Sequence, residues 1–355
     1  MDSIKYFLGS NTAEGFYSLY NGFVSLDEVF LWVIKGGAGC GKSSFMKRIG
    51  SAAEKADLRV EYALCSGDPN SIDGVYIPEL KTAYVDGTAP HLIDTRLAAI
   101  DSAYIDLSRY YDIEGLEAHR AELEELKNGN SLSYTKAYAL LSAAAAIKRG
   151  LVYKKIGTRE KIAAESRIKG TMNRELGRKK ANGKIVYRFL SAISCYGRVY
   201  LPETAGTLCR RFYHIKSRIG LAEYSIKTIA EAAAAAGHKI IVCPDSLTPE
   251  VPEAVLIPEL QVAFVRDEKL IPEGAETHRI NVDSKLAPAL LRSLRPDMKF
   301  SEKITANLVE KAAESLSYAK GFHDEMENIY NPYVDFASVY SDADLHLARL
   351  GLDRI

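Results

Sequence analysis

The amino-acid sequence contains two related halves, and this internal repeat constrains the fold more strongly than any other feature. The segment 75–85 (VYIPELKTAYV) matches the segment 255–265 (VLIPELQVAFV) at seven of eleven positions. Further matches keep their order along the chain: Phe7-Leu8, Gly15 and Ile34-Lys35 recur as Phe189-Leu190, Gly197 and Ile215-Lys216. The spacing between equivalent residues falls from 182 to 180, as expected for a tandem duplication that has lost single residues.

The pattern of the first copy predicts a parallel α/β sheet. The continuous apolar run 29–35 is typical of a strand buried on both faces, and a helix is predicted for 43–56. Further strands are predicted for 59–65 and 81–85, which completes βαβ units with right-handed crossovers. Each copy is expected to begin with a short hairpin that turns near its repeated glycine.

A helical appendage is predicted for each copy. Helical sequence extends from about 95 to 180, with a break at Asn128-Gly129-Asn130, and a comparable tail extends from 301 to 350. A chain of 355 residues is also too long for one ordinary core. We therefore predict two α/β domains, covering 1–180 and 181–355.

The connection between the first apolar strand and the next helix has the pattern of a phosphate-binding loop. Its sequence is GGAGCGKSS, and a strand before it and a helix after it are the context that supports the motif. Glycine lets the backbone fold around a phosphate, so that amide hydrogens and the helix N-terminus face the anion. We predict binding of ATP or GTP by Gly36, Gly37, Ala38, Gly39, Cys40, Gly41, Lys42, Ser43 and Ser44.

Each polar residue of this site has an expected role. Lys42 is expected to contact the β- and γ-phosphates, and the Ser43 hydroxyl is expected to bind Mg²⁺. Asp86, at the end of a neighbouring strand, is the predicted second Mg²⁺ ligand, although Asp-Gly is also a common turn pair. Lys42, Asp86 and Asp68 are the candidate catalytic residues, with His91 as a further candidate beyond a strand end. The general base stays unassigned, since no glutamate follows Asp86.

These motifs carry a resemblance to known proteins. The Walker A motif at 36–44 is similar to that of the P-loop NTPase superfamily. The fuller pattern resembles a little-characterised bacterial family of tandem P-loop ATPase-like proteins over most of the chain, through FLGSNTAEG, GGAGCGKSS, CSGDPNSIDGVYIPEL and VDGTAPH, with a second FLSAIS and VLIPEL. The resemblance implies a P-loop NTPase-type parallel sheet, tandemly duplicated, with nucleotide binding and hydrolysis.

The second copy lacks a complete phosphate loop. Alignment through Ile215-Lys216 places SRIGLAEYS, residues 217–225, opposite the loop, and one glycine remains there. Lys42 then corresponds to Ala222 or Glu223, and a carboxylate at that position would repel phosphate. We predict one nucleotide per chain and a second domain that serves packing, regulation or binding of a protein partner. Arginines of this copy are candidates to approach the nucleotide, namely Arg210, Arg211 and Arg218.

Charge is distributed unevenly along the chain. The formal net charge is zero, which excludes a global field that attracts nucleic acid or an anionic membrane. The segment 148–188 nevertheless holds 14 Lys/Arg against 3 Asp/Glu. It is compatible with a lid over phosphates, an arginine donor, a nucleic-acid patch or a solvated helical linker.

Compartment and membrane association follow from simpler features. The five cysteines are scattered, without a CxxC pair or a metal-ligand spacing. The start of the sequence has no leader pattern, and no stretch reaches the roughly 18 apolar residues of a spanning helix. We expect a cytoplasmic protein that does not enter membranes. Cys40 in the loop is expected to have a lowered thiol pKa beside the helix N-terminus.

Three functions are compatible with the sequence. The leading one is Mg²⁺-dependent hydrolysis of ATP or GTP that drives a conformational change between the copies. The second is a small-molecule or nucleotide kinase, in which Asp68 or Asp86 activates an acceptor hydroxyl. The third is a non-enzymatic protein whose interactions depend on bound nucleotide.

Overall fold

Two six-stranded sheets form the centre of the molecule. The computed structural model describes residues 3–24, 28–90, 93–95, 97–151, 156–177 and 183–353. The first sheet contains β1 (Ile4–Phe7), β4 (Phe30–Lys35), β5 (Glu61–Leu64), β6 (Ile72–Ile77), β7 (Thr82–Asp86) and β8 (Ser102–Asp106). The second contains β9 (Lys184–Tyr187), β12 (Arg211–Lys216), β13 (Lys239–Pro244), β14 (Pro252–Ile257), β15 (Val262–Val265) and β16 (Glu276–Asn281).

The two sheets have the same strand order. The first is ordered β1-β5-β6-β7-β4-β8 and the second β9-β13-β14-β15-β12-β16, so each strand has a counterpart in the other half. Both sheets are mixed, because β6 and β14 run antiparallel to both of their neighbours. The prediction of a parallel sheet is therefore confirmed only in part: the sheets are largely parallel, with one antiparallel strand in each. The links before and after β6 are too short for the dozen or more residues of a parallel crossover, so β6 must reverse direction.

A hairpin follows the first strand of each half, as predicted. The hairpins are β2 (Gly9–Thr12) with β3 (Gly15–Ser18), and β10 (Ser191–Ser194) with β11 (Gly197–Tyr200). Both turns end on a left-handed glycine, with φ of 93° at Gly15 and 92° at Gly197, where a side chain would be strained. Between the hairpin bases, Phe7 and Phe189 exchange both backbone hydrogen bonds, at 2.9 and 3.0 Å. The sheets therefore meet edge to edge at equivalent residues.

Helices cover the sheets and connect the halves. Their bounds are α1 (Tyr20–Val24), α2 (Lys42–Lys55), α3 (Ile113–Glu117), α4 (Arg120–Leu151), α5 (Thr158–Glu175), α6 (Pro202–Leu208), α7 (Leu221–Ala235), α8 (Pro288–Tyr330) and α9 (Phe336–Arg349). In α2 the apolar side chains Phe45, Ile49 and Ala53 recur at helical spacing and are fully buried against the sheet. None of the helices that the structure describes is both long and apolar enough to cross a membrane.

The helix pair α4 and α8 corrects two predictions. No break occurs at 128–130, since α4 continues through these residues. Gly129 instead permits close packing: a Cβ there would lie 2.7 Å from the ring of Phe322 on α8. Asn130 donates from Nδ2 to the carbonyl of Ala319, at 2.8 Å. Residues 102–106, predicted as helical, form the edge strand β8, and α8 begins well before residue 301.

The appendage helices pack across the halves. Ala164 and Ile168 of α5 are buried in the core of the second half, among Ile226 and Ile229 of α7. Val339, Ala343 and Leu347 of α9 are buried in the core that contains the first sheet and α2. The chain therefore returns to the first half at its end, which brings the last part of α8 to the carboxyl edge of the first sheet.

Candidate nucleotide-binding site

The predicted phosphate loop connects β4 directly to α2. Gly39 and Gly41 adopt left-handed conformations, with φ of 69° and 86°, which L side chains rarely adopt. Gly41 is the residue before α2 and has no side chain with which to cap the helix. An α-helix leaves its first amide hydrogens without intrahelical partners, so those of α2 are available to an anion.

Lys42 lies across the mouth of the loop. Its ammonium group donates to the carbonyls of Gly36 and Gly37, at 2.9 and 2.7 Å. The same nitrogen lies 3.7 Å from Oδ2 of Asp86, at the end of β7. Both side chains are mostly buried, at 14% and 13% exposure. The fold thus brings together two residues that are 44 positions apart and that the sequence analysis singled out.

The oxygen atoms near this pair match the ligands that Mg²⁺ prefers. Asp86 accepts through Oδ1 from the amide and hydroxyl of Thr88, at 2.8 and 2.5 Å, which fixes the carboxylate. The Ser43 hydroxyl oxygen accepts from the amide of Ile72, at 3.1 Å, so its proton can point elsewhere. A hydroxyl and a held carboxylate fit a Mg²⁺ ion, which would take its other oxygens from phosphate and water.

Residues far away in the sequence cover the loop. The Gly39 amide donates to Oε1 of Glu327 on α8, at 3.2 Å. A Cβ on Gly39 would lie 2.8 Å from the side-chain oxygen of Asn331. Tyr111 donates its hydroxyl to the carbonyl of Ala38, at 2.6 Å. Sequence reasoning missed all three residues, because no motif marks them and Glu327 is 288 positions from Gly39.

Glu327 also belongs to a small cluster on α8. The possible ligand atoms of His323, Asp324 and Glu327 lie within 4.8 Å of one another. Glu327 already accepts from Gly39, and Asp324 pairs with Lys320 at 2.6 Å. The cluster lies on one exposed helix face, where acidic groups are common without a metal ion.

The environment of Cys40 corrects a prediction. The thiol is almost fully buried, at 1% exposure. Burial disfavours the thiolate and raises the pKa of Cys40, which outweighs the lowering effect of the nearby Lys42. The expectation of a lowered thiol pKa was therefore wrong. Cys40 fills space under the loop. A Cβ on Gly36 would lie only 2.4 Å from the Cys40 sulfur, so a side chain at position 36 would clash with it.

Asp68 is placed in the turn between β5 and β6. Its carboxylate accepts from the amide of Asn70, at 3.1 Å, and lies 3.5 Å from the ammonium of Lys320 on α8. The turn continues to Ile72, the residue bonded to Ser43. Asp68 therefore joins the rim of the site to α8, whereas Asp86 contacts Lys42 directly. His91 lies outside the described residues.

The equivalent loop of the second half is filled by the protein itself. Gly220 precedes α7 with φ of 82°, as Gly41 precedes α2, but only three residues separate it from β12. The Ser217 hydroxyl accepts from the amide of Leu221, at 3.0 Å, and thereby caps α7. The buried carboxylate of Asp283 accepts from the Arg218 amide and the Ser217 hydroxyl, at 2.5 and 2.7 Å.

Among the residues that the structure describes, the basic segment 148–188 does not approach the predicted phosphate loop 36–44. Helix α5 packs on α7, where Glu165 and Tyr224 are hydrogen-bonded, and its last residue Glu175 pairs with Arg211 at 3.2 Å. Arg218 lines a cavity of the second half. These contacts place α5 and two of the three candidate arginines in the second half. Residues 152–155 and 178–182 of the segment lie outside the described residues.

No protein-family model, curated protein or solved structure matches this chain.

Proposed function

We propose that this protein binds a nucleoside triphosphate, ATP or GTP, at residues 36–44 and hydrolyses it with the help of Mg²⁺. The observation that carries the proposal is the 3.7 Å contact of Lys42 with Asp86 at the start of α2. A lysine, a carboxylate and a set of helix amides on glycine-rich backbone form the arrangement that phosphoryl-transfer sites share.

The residues of the chain have separate tasks in this proposal. The amides of the loop and of α2 hold the phosphates, and Lys42 exchanges its two carbonyl partners for phosphate oxygens. Ser43 and Asp86 would hold Mg²⁺, which neutralises developing charge on the transferred phosphoryl group when bound. Thr88 keeps the Asp86 carboxylate oriented. These side chains position the reactants, and the residue that activates water stays unassigned.

The fold supports an evolutionary part of the proposal. Identical strand orders, paired hairpins and the reciprocal bonds of Phe7 and Phe189 are what a tandem duplication of a P-loop NTPase-type domain would produce. The second copy then lost its anion site, because Asp283 occupies the shortened loop. A cytoplasmic location remains part of the proposal, in keeping with five free cysteines among the described residues.

Nucleotide binding should change the position of α8. The Glu327 carboxylate bonds an amide that a phosphate would also use, and two anions cannot share one donor. Nucleotide entry would therefore displace the Glu327 side chain and remove a contact that holds the last turn of α8 on the loop. This contact equally favours the non-enzymatic function, in which the protein's interactions depend on bound nucleotide without turnover.

Calorimetric titration with a non-hydrolysable ATP analogue and Mg²⁺ tests the proposal. We expect one site per chain, since the second loop is filled by Asp283 and Ser217. Phosphate release without an acceptor would support hydrolysis. Saturable binding without phosphate release would support the non-enzymatic function that depends on bound nucleotide. A stoichiometry of two would show that the second half also binds nucleotide, and binding that survives Lys42→Ala would show that the nucleotide does not depend on the loop 36–44.

A further inference from the structure

The second half contains a cavity at the edge of its sheet where the first half has its phosphate loop. The cavity has a volume of about 980 Å³. Its walls come from α8 between Met298 and Ser317, from the hairpin residues 195–200 and from the start of α7. Open α/β sheets bind ligands at the carboxyl ends of their strands, and Arg266 follows β15 at this edge.

Three cations form one wall of this cavity. Arg198 bonds Asp245 and Glu253 through Nη2, at 3.0 and 3.1 Å. Arg266 bonds Glu223 at 2.7 Å and also contacts Asp245. The ammonium of Lys148 lies 3.6 Å from Asp245. These side chains are only 16–24% exposed.

Two of the carboxylates that pair with these cations lie behind the wall. Asp245 and Glu253 are fully buried and do not line the cavity, whereas the three cations do. Burial raises the pKa of Glu253 to about 7. Glu223, which pairs with Arg266, and Asp267, which accepts from Tyr200, line the cavity as well, and the glutamates of the opposite wall, Glu302, Glu310 and Glu314, are exposed on α8. The three cations therefore face the cavity alongside Glu223 and Asp267.

One donor in this wall has no partner. Arg198 Nε is buried and has no hydrogen-bond acceptor in the part of the chain that the structure describes. Such buried donors are rare, and each calls for an explanation such as a ligand that is bound elsewhere in the functional cycle. The ring of Tyr200 lies under the guanidinium, 5.5 Å from its carbon, and restricts its position. A guanidinium held in this way suits a carboxylate or phosphate group.

Part of the remaining surface is apolar. Met298, Ala306, Val309 and Ala313 of α8 line the cavity together with Leu247, between the polar residues of the same helix. Buried cations at one end and apolar side chains on α8 fit a molecule with an anionic group at one end and an apolar body at the other. A nucleoside triphosphate fits poorly, because Glu223 stands at the start of α7, where its phosphates would lie.

We propose that this cavity binds a small organic anion, with its carboxylate or phosphate group at Arg198, Arg266 and Lys148 and its apolar body against α8. The proposal is independent of nucleotide binding at residues 36–44. It adds a second ligand site, built mostly from the second half, with Lys148 of α4 contributed by the first.

Two probes that differ only in charge test the proposal. Anilinonaphthalene sulfonate has an anionic group on an aromatic body, and N-phenylnaphthylamine is the same body without the sulfonate. We expect calorimetry to give one sulfonate site per chain and at least about tenfold weaker binding of the uncharged probe, because charge-assisted hydrogen bonds are lost. Equal affinities, or no saturable sulfonate binding, would overturn the proposal.

A matched pair of variants locates the site. Ala306 is exposed and lines the cavity, whereas its neighbour Asn307 is exposed and does not. Ala306→Phe should abolish sulfonate binding and Asn307→Phe should leave it unchanged, with both variants unfolding at the wild-type temperature. Binding that survives Ala306→Phe would show that the probe binds elsewhere and would refute the assignment.

Discussion

Asp86, the last residue of β7, and Arg266, the residue after β15, occupy equivalent positions at the ends of equivalent strands and carry opposite charges. Asp86 lies 3.7 Å from the cation Lys42 at the start of α2, whereas Arg266 lies 2.7 Å from the anion Glu223 at the start of α7. Each half therefore has an ion pair between the end of this strand and the first turn of the following helix, with reversed polarity. In the second half a basic residue stands where the first half has the carboxylate that we propose as a Mg²⁺ ligand.

Lys42→Ala should leave the fold intact and reduce nucleotide turnover by about 10² to 10³, because one preorganised electrostatic donor to the phosphates is lost. Activity assays and calorimetry measure the effect. Lys55→Ala, at the other end of α2, is the matched control and should behave like the wild type. Wild-type turnover in folded Lys42→Ala would refute the role of Lys42.

Asp86→Asn should reduce Mg²⁺-dependent activity far more than Mg²⁺-free nucleotide binding. The amide keeps the shape and the contact with Thr88 but removes the charge that supports the cation. Titration with Mg²⁺ at fixed nucleotide measures the change. If Asp68→Asn loses Mg²⁺ dependence while Asp86→Asn keeps it, Asp68 rather than Asp86 is the metal ligand.

Glu327→Gln should tighten nucleotide binding by about three- to tenfold. The substitution weakens a hydrogen bond between a carboxylate and the Gly39 amide that competes with phosphate, and partial exposure of Glu327 limits the gain. Glu325→Gln changes the same charge on an exposed position of the same helix and should leave the Kd unchanged. Equal Kd values for the two variants would show that Glu327 does not compete with the nucleotide.

Glu253→Gln should change how stability depends on pH. Burial raises the folded-state pKa of Glu253 from 4.5 to about 7, so the native state binds this proton more tightly than the unfolded state. Its contribution is present below pH 4.5 and is lost as the pH rises towards 7, by about 3 kcal/mol at most. The variant should lack this loss.

Comparison of Glu253→Gln with the wild type separates the effect of Glu253 on stability from the effects of other titratable residues. Burial lowers the pKa of His214 and His346, which destabilises the native state at low pH in both proteins. Denaturant unfolding between pH 5 and 8 should therefore show a difference that grows with pH. Parallel curves, or a difference also seen with exposed Glu231→Gln, would contradict the prediction.

Local patterns predicted the elements that carry the first site. The apolar run before Gly36, the loop motif and the helix after it depend on neighbouring residues, and all three lie where predicted. The direction of β6 depends on the length of its connections, which the expectation of a parallel sheet overlooked. The local sequence around Gly129 predicts a helix break. The glycine is required instead by the ring of Phe322, which lies on another helix and is not visible in the local sequence.

Contacts between distant segments account for what the sequence could not predict. Glu327 reaches Gly39 only because α8 ends at the first sheet. Asp283 fills the second loop from the turn after β16, and nothing in its local sequence indicates this. The loss of glycines predicted a degenerate loop, but only the structure shows which carboxylate fills it.

Helix α8 contributes to both proposed sites. Glu327 touches the phosphate loop and Ala306 lines the cavity of the second half, about 30 Å apart along one continuous helix. A tilt or slide of α8 at one proposed site would be transmitted along the helix to the other, so we expect occupancy of the two sites to be coupled. Thermodynamic linkage makes such coupling reciprocal: the factor by which the anion changes the Kd of the nucleotide is the factor by which the nucleotide changes the Kd of the anion.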